Sequence, residues 1–327
     1  MIDLLSLLKN TGAYRTIKGD KESGRLSHAY LILSPDGQMM EEYLKLFAKL
    51  MVCDSNEPCG SCRSCSLIDQ KNFTDVIFYP QKDGAVLAED VNALIEESYL
   101  RPVERDKKIF IINKAETMNA SAQNKLLKTL EEPPNGVHII LGATSEFPLL
   151  STVKSRVKKL EISAFTPSVL FDALKDDCID HELLKSAIAC SDGTVGGALS
   201  LYGDQTLKSV FDLALDVIVN MQSSKDVLAY STKITNSKCD FSKFLSVLDL
   251  LLRDLLVIIE KKEDLVLNKS VAKELKKATR FNTGSVLHAL NTIVEANKRK
   301  KFNTNATMLI EWLLFQILEG KYKWQKL

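Results

Sequence analysis

Residues 109–156 read IFIINKAETMNASAQNKLLKTLEEPPNGVHIILGATSEFPLLSTVKSR, and the reading of this stretch decides the fold. An apolar run, Ile109 to Ile112, predicts a buried strand that ends in Asn113 and Lys114. Phosphoryl transfer on such a scaffold needs acids at that strand end, to hold magnesium and to polarise water. Asparagine is neutral and lysine is cationic, so neither does that work. Asn119 then caps a segment whose Gln123, Leu126, Leu127 and Leu130 share one helical face, and Pro133-Pro134 stops it. A second strand is predicted over His138 to Leu141. The unit is strand, helix, strand, and its strand end offers no acid pair.

Working outward, His28 to Leu33 and Val76 to Tyr79 are further apolar strands set between helical stretches. That alternation predicts a parallel sheet with helices on both faces. After about Ser163 the strand signals cease. Thr166-Pro167 starts a helix, because proline fits the first turn where its missing N–H costs nothing. Three short helices are predicted to about Gly203, the last after the Gly193 to Gly197 turn, and longer amphipathic helices follow, including Phe241 to Lys261, Ser285 to Asn297 and Asn305 to Leu318. The expected division is an α/β domain over 1–163, a small helical domain over 164–203 and an all-α domain over 204–327.

A chain of 327 residues exceeds the roughly 250 at which single cores stop growing, which agrees with several domains. Lys and Arg total 43 against 42 Asp and Glu, so the net charge of +1 gives no strong reason for the chain alone to seek nucleic acid or an acidic membrane. The first residues do not read as a secretory signal. The most apolar run, Leu245 to Ile259, is interrupted by Asp249, Arg253 and Asp254, which would be costly at bilayer depth. A cytosolic protein is expected, with its seven cysteines reduced or metal-bound.

Four of them, Cys53, Cys59, Cys62 and Cys65, follow the spacing Cys-x5-Cys-x2-Cys-x2-Cys, with Pro58 and Gly60 supplying turns. Four thiolates at tetrahedral geometry leave no open position, so a structural zinc module over 53–65 is expected, without catalysis by the metal. An iron–sulfur site and unliganded thiols are the alternatives, the former lacking its usual Cys-Pro element. Cys178, Cys190 and Cys239 stand alone in helical segments and read as buried apolar residues.

The succession of Ser27 to Leu31 (Ser-His-Ala-Tyr-Leu), Cys53 to Cys65, Ala122 to Pro134 and Ser155-Arg156 resembles bacterial clamp-loader proteins of the AAA+ class, which serve DNA polymerase III. Leu252 to Leu255 and the run Asn303, Asn305, Leu309, Glu311, Leu313, Leu314 look like the helical collar by which such subunits form a ring. The resemblance implies an AAA+ domain with an inserted zinc module, a helical lid and a collar. Members that hydrolyse ATP carry G-x-x-x-x-G-K-[ST] after the first strand, where backbone N–H groups cradle phosphates and lysine neutralises them. Here that segment runs from Ser34 through Gly37 to Glu41, with Met39 for the second glycine, Met40 for the lysine and Glu41, which would repel a triphosphate, for the magnesium-holding hydroxyl. Gly197 stands where active relatives commonly have a phosphate-sensing arginine. No bound ATP is expected.

What the resemblance leaves intact is Arg156. In the family the arginine of Ser-Arg-Cys reaches into a neighbour's ATP site, and here the motif reads Ser155-Arg156-Val157. A guanidinium suits that task, being always charged and presenting a planar fork to phosphate oxygens. By charge alone Arg156 is one cation among Lys154, Lys158 and Lys159, and only the motif singles it out. Lys125 and Lys128 could approach DNA phosphates but more simply solvate a helix, as does the run Lys298 to Lys301, and His28 reads as a packed residue. The resemblance implies a non-hydrolysing ring member that helps load a sliding clamp onto primer-template DNA, with gamma/tau-type ATPase subunits and a delta subunit as partners. An ATPase of the gamma/tau type with an unconventional site, or a stand-alone zinc-containing DNA-binding protein, are the competing readings.

Overall fold

The computed structural model describes residues 3–82, 84–236, 240–262, 265–267, 271–300 and 305–323. Cys239, Lys301 and Asn303 lie outside them. Two compact units result, one of Met1–Asp177 with Thr194–Gly196, the other of Cys178–Gly193 with Gly197–Leu327.

The first unit runs α1 (Leu4–Leu8), α2 (Gly12–Glu22), β1 (Ala29–Leu33), α3 (Met40–Val52), α4 (Arg63–Asp69), β2 (Val76–Tyr79), α5 (Ala88–Ser98), β3 (Lys108–Ile112), α6 (Ala120–Glu131), β4 (Val137–Ala143), α7 (Ser151–Lys154), β5 (Lys158–Glu161) and α8 (Pro167–Leu174). The strands form one parallel sheet in the order β2-β3-β4-β1-β5. Alternate residues of each strand feed opposite cores, as a period of two requires. Tyr30, Ile32, Ile109, Ile111 and Ile140 pack with Tyr14 and Ile17 of α2 and Tyr43 and Phe47 of α3. Ala29, Leu31, Leu33, Phe110, Ile112, Ile139 and Leu141 pack with Val91 and Leu94 of α5 and Leu126 and Leu130 of α6. Helices therefore cover both faces of a parallel sheet, and all of β1 and β3 is buried.

The four predicted strands are present to within two residues at each end. β5 was not anticipated. Its sequence is Lys-Lys-Leu-Glu, and only Leu160 is turned into the core, while Lys158 pairs with Asp20 at 2.6 Å and Lys159 with Glu146 at 2.8 Å. An edge strand with one inward residue carries almost no apolar signal.

Because β1 is flanked by β4 and β5 while the chain leaves it for β2 at the far edge, the strand order reverses beside β1. In open parallel sheets ligand sites form at the carboxyl ends of strands at such a point. The segments after β1, β3 and β4 meet there.

In the second unit α9 (His181–Ala189), α10 (Val195–Tyr202), α11 (Leu207–Asn220), α12 (Ser224–Asn236), α13 (Phe241–Ile259), α14 (Ala272–Leu275), α15 (Thr283–Lys300) and α16 (Ala306–Lys323) enclose one apolar core, although α10 begins within the first unit. Among the described residues this unit has no strand. Buried Asp254 accepts from the Leu267 amide at 2.9 Å. Buried Lys321 donates to the carbonyls of Ile218 and Met221, both at 2.9 Å, satisfying oxygens at the end of α11 that the helix itself leaves open.

Candidate functional site

The loop after β1 is organised by an acid that the sequence reading passed over. Asp36 is 4% exposed. Its Oδ1 accepts from the Met39 amide at 3.1 Å, and its Oδ2 accepts from the Tyr43 hydroxyl at 3.0 Å and from the Gly196 amide at 2.9 Å. Ser34 Oγ accepts from the Asp36 amide at 3.2 Å. The N-terminal amides of a helix attract an anion, and here the chain's own carboxylate meets one at the start of α3 and one at the start of α10. Gly196 is required for this approach, since a Cβ there would lie 2.6 Å from Asp36 Oδ1. Burial, followed by the charge of Asp36, pushes the Tyr43 hydroxyl well above its ordinary pKa. The sequence signal was modest: an acid three residues ahead of a helix-start amide is a capping pattern, but its other partner lies 160 residues away.

Met40 does not face this loop's exterior. It is 1% exposed and packs beside Leu44 under β4, where Gly142 makes room: a Cβ on Gly142 would sit 2.6 Å from Leu44 Cδ1 and 3.0 Å from Met40. Glu41 turns instead to Lys71 at 2.8 Å and Lys45 at 3.3 Å. Burial opposes ionisation there, but Lys71 and Lys45 hold the carboxyl below its ordinary range. The expected repulsion toward a triphosphate is thus neutralised locally. Gly37 approaches β4 closely, with its Cβ position 2.9 Å from Thr144 Cγ2.

At the end of β3 the Asn113 amide donates to Tyr79 O at 2.8 Å, and its Oδ1 accepts from the Lys114 amide at 2.9 Å, which turns the side chain onto its own backbone. Lys114 is exposed and has φ of 58°. Glu116 reaches the end of β4: its Oε1 accepts from Thr144 Oγ1 at 2.7 Å and from the Thr144 amide at 3.2 Å.

Arg156 follows α7, a helix held in position by buried Gln123 of α6. The Gln123 amide nitrogen donates to Met118 O at 3.0 Å and Pro148 O at 3.1 Å, and its oxygen accepts from the Leu150 amide at 2.7 Å. His28 Nε2 donates to the Arg156 carbonyl at 3.1 Å, so this histidine ties the segment to the start of β1 and is more than packing. The guanidinium Nη1 donates to Thr152 O at 2.9 Å and Ser155 Oγ at 3.1 Å. Nη2 lies 2.6 Å from Glu131 Oε1 at the end of α6. Lys125 and Lys128 are exposed on α6, and Lys125 reaches Asn92 Oδ1 at 3.0 Å.

Cys53, Cys59, Cys62 and Cys65 converge, with all four Sγ atoms within 4.8 Å of one another. The pairs Cys53–Cys62 and Cys59–Cys65 are each 4.0 Å apart. Zinc–sulfur bonds of about 2.3 Å at tetrahedral angles require sulfurs roughly 3.8 Å apart, so the four residues fit a metal ion. Gly60, at φ of 69°, makes the turn, and the amides of Cys62 and Cys65 donate to Cys59 Sγ at 3.3 Å and Cys62 Sγ at 3.4 Å. Amide donors at Cys62 and Ser61 bring the exposed Cys59 thiol down to about 6, whereas burial pushes Cys65 up.

A supporting shell holds this module. Lys21 Nζ donates to Cys53 O at 2.6 Å and Ser55 O at 2.7 Å. Arg105 makes paired bonds to Asp54 at 2.6 and 2.8 Å and reaches Ser64 Oγ at 3.1 Å. Arg105 is aimed by buried Asp75, whose carboxylate accepts from the amides of Val103, Glu104 and Arg105 at 2.7, 2.7 and 2.8 Å. Conserving metal geometry through such outer contacts is general. None of them was visible in the cysteine spacing.

Comparison with known proteins shows what this chain is similar to. The family described as "DNA polymerase III, delta subunit" matches residues 9–166. The DNA polymerase III subunit delta' of Bacillus subtilis is 28% identical over 308 residues, covering 91% of the chain and 93% of that protein. The tau subunit of Escherichia coli is 31% identical over 197 residues, which are 57% of the chain but 30% of that protein. Among solved structures, a gamma subunit-related protein of DNA polymerase III from Thermotoga maritima superposes with a TM-score of 0.48 at 19% identity, over 94% of this chain and 99% of that one. No described helix is long and apolar enough to cross a membrane.

Proposed function

We propose that the chain is a delta-prime-type, non-hydrolysing member of the DNA polymerase III clamp-loader ring, supplying Arg156 to the ATP site of a neighbouring gamma/tau-type subunit; its likeness to the Bacillus subtilis delta' subunit over 91% of the chain supports this reading. The observation that carries this reading is the loop after β1. Its anion-facing amides meet Asp36, the lysine position is a buried methionine, and the strand end that needs acids offers Asn113 and Lys114. Phosphoryl transfer is catalysed almost wholly by positioning and charge, so a site with these groups has little to offer a nucleotide of its own. Arg156 is the reverse case, a permanently charged fork at the surface with Nη1 fixed by its own turn.

In this role the chain helps load the sliding clamp onto primer-template DNA from the cytoplasm, together with gamma/tau-type and delta subunits. Residues from about 204 onward form the ring contact, 164–203 the lid, and the four cysteines hold structural zinc. Zinc there stabilises the module without taking part in chemistry, because four thiolates close its coordination. The test is ATP turnover by the reconstituted loader, stimulated by DNA and clamp, with wild type against Arg156→Ala at equal assembly. A loss on the order of a thousandfold in the affected site supports the reading. Unchanged turnover would reduce the chain to a scaffold.

A further inference from the structure

Arg156 does not wait at the surface unpaired. Nη1 is committed to Thr152 O and Ser155 Oγ, both on its own turn, and Ser155 Oγ is itself oriented by donating to Thr152 O at 3.0 Å. That leaves the edge formed by Nε and Nη2 as the one able to grip an outside anion. Glu131 meets it at Nη2, with Oε1 2.6 Å away, and among the described residues Arg156 is the only cation paired with Glu131. Glu131 stands at the last position of α6, where a carboxylate gains nothing from the helix dipole.

We propose that Glu131 is the internal stand-in for the phosphate that Arg156 meets on a neighbouring subunit: its carboxylate holds the Nη2 edge in the isolated chain and is exchanged for phosphate oxygens on engagement. This rests on the reading that Arg156 acts in trans. The two acceptors are alike to the guanidinium, each an anionic oxygen offering a charge-assisted bond. The side chains of Arg156 and Glu131 are 34% and 48% exposed, so the pair is easily opened. Pairs this exposed shift equilibria by no more than about fivefold. Glu131 is therefore a positioning residue that sets how readily the fork is released. Ser155 and Thr152 do not exchange, since their bonds are to the opposite edge.

The experiment is ATP hydrolysis by the reconstituted loader as a function of ATP concentration, with wild type, Glu131→Gln, Arg156→Ala and the double variant. Glutamine keeps the size and loses the charge. Glu131→Gln lowers KM for ATP about two- to fivefold with kcat unchanged, and the difference shrinks as salt screens the pair in the wild type. In the Arg156→Ala background Glu131→Gln changes nothing, which separates an effect through Arg156 from a general change of charge. An unchanged or raised KM in the single variant overturns the proposal, as does an equal shift with and without Arg156. If Arg156→Ala itself leaves turnover intact, the failure is that of the trans-acting arginine and not of the ion pair.

Discussion

The two ends of α3 solve the same problem in opposite ways. At its start, the polar groups of the loop are satisfied from within, by Asp36, Tyr43 and the Gly196 amide. At its end, Cys53 opens a module whose four sulfurs gather within 4.8 Å of one another. Buried amides with a carboxylate already in place have no use for an outside anion, whereas four thiols gathered within 4.8 Å gain little until an ion binds them. One helix thus joins a site closed by its own residues to one whose residues suit a metal ion. The residue types decide which is which.

The largest expected effect is at the open end. Elemental analysis of the purified chain should give one zinc per chain. Strong chelation, or Cys65→Ser, should unfold residues 53–69 with a loss of stability larger than that of Asp36→Ala. Structural zinc sites bind with about 10 kcal/mol or more. A chain that keeps its thermal midpoint after the metal is stripped would erase the contrast between the two ends.

Next is the closed end. Asp36→Ala leaves the Met39 and Gly196 amides and the Tyr43 hydroxyl without their acceptor, at about 1–3 kcal/mol for each group that stays buried and unpaired. A loss of about 3 kcal/mol in urea unfolding is expected, after some relaxation. A change below about 0.5 kcal/mol, the level of an ordinary surface substitution, would show that the carboxylate does not organise the loop. Smaller again is Gly142→Ala, whose methyl meets Leu44 and Met40. Overpacking of this kind costs about 1–3 kcal/mol, read as a lower midpoint, and Met40→Ala in the same chain should relieve part of it.

A pH-dependent effect in the other unit serves as a control. Burial, then the charge of Arg280, brings the Lys321 ammonium from 10.5 down to about 8. The unfolded chain then binds more protons between those values, so the Lys321 contribution to stability rises with pH from about 8 to 10.5 and is at its lowest below 8. Comparing Lys321→Met with wild type across that window should show the variant lacking this rise. Parallel curves would mean that the lysine is not held charged in a buried site.

Much of the fold was legible because β1 to β4 are apolar runs bounded by polar residues, and because Asn119 and Pro167 mark helix starts. β5 was not, since only Leu160 of its four residues turns inward. The four clustered cysteines declared themselves by spacing. Asp36, Glu131 and Asp75 did not, for a common reason: each acts through a partner distant in sequence, at Gly196, Arg156 and Arg105. An acid reads as free in solvent until the distant segment that meets it is in place. The same holds for Gln123, which looked like one position on a helix face and proved to tie α6 to the turn before α7. Periodicity reports which face is buried and says little about which polar groups meet there.

The measurement that most directly tests the account is a calorimetric titration of ATP and magnesium into the isolated chain with its metal site loaded. A loop closed by Asp36 predicts no saturable heat at concentrations where an ATP-hydrolysing relative is filled. Saturable, magnesium-dependent binding would contradict it, and would return the chain to the class of nucleotide-binding subunits with an unconventional site.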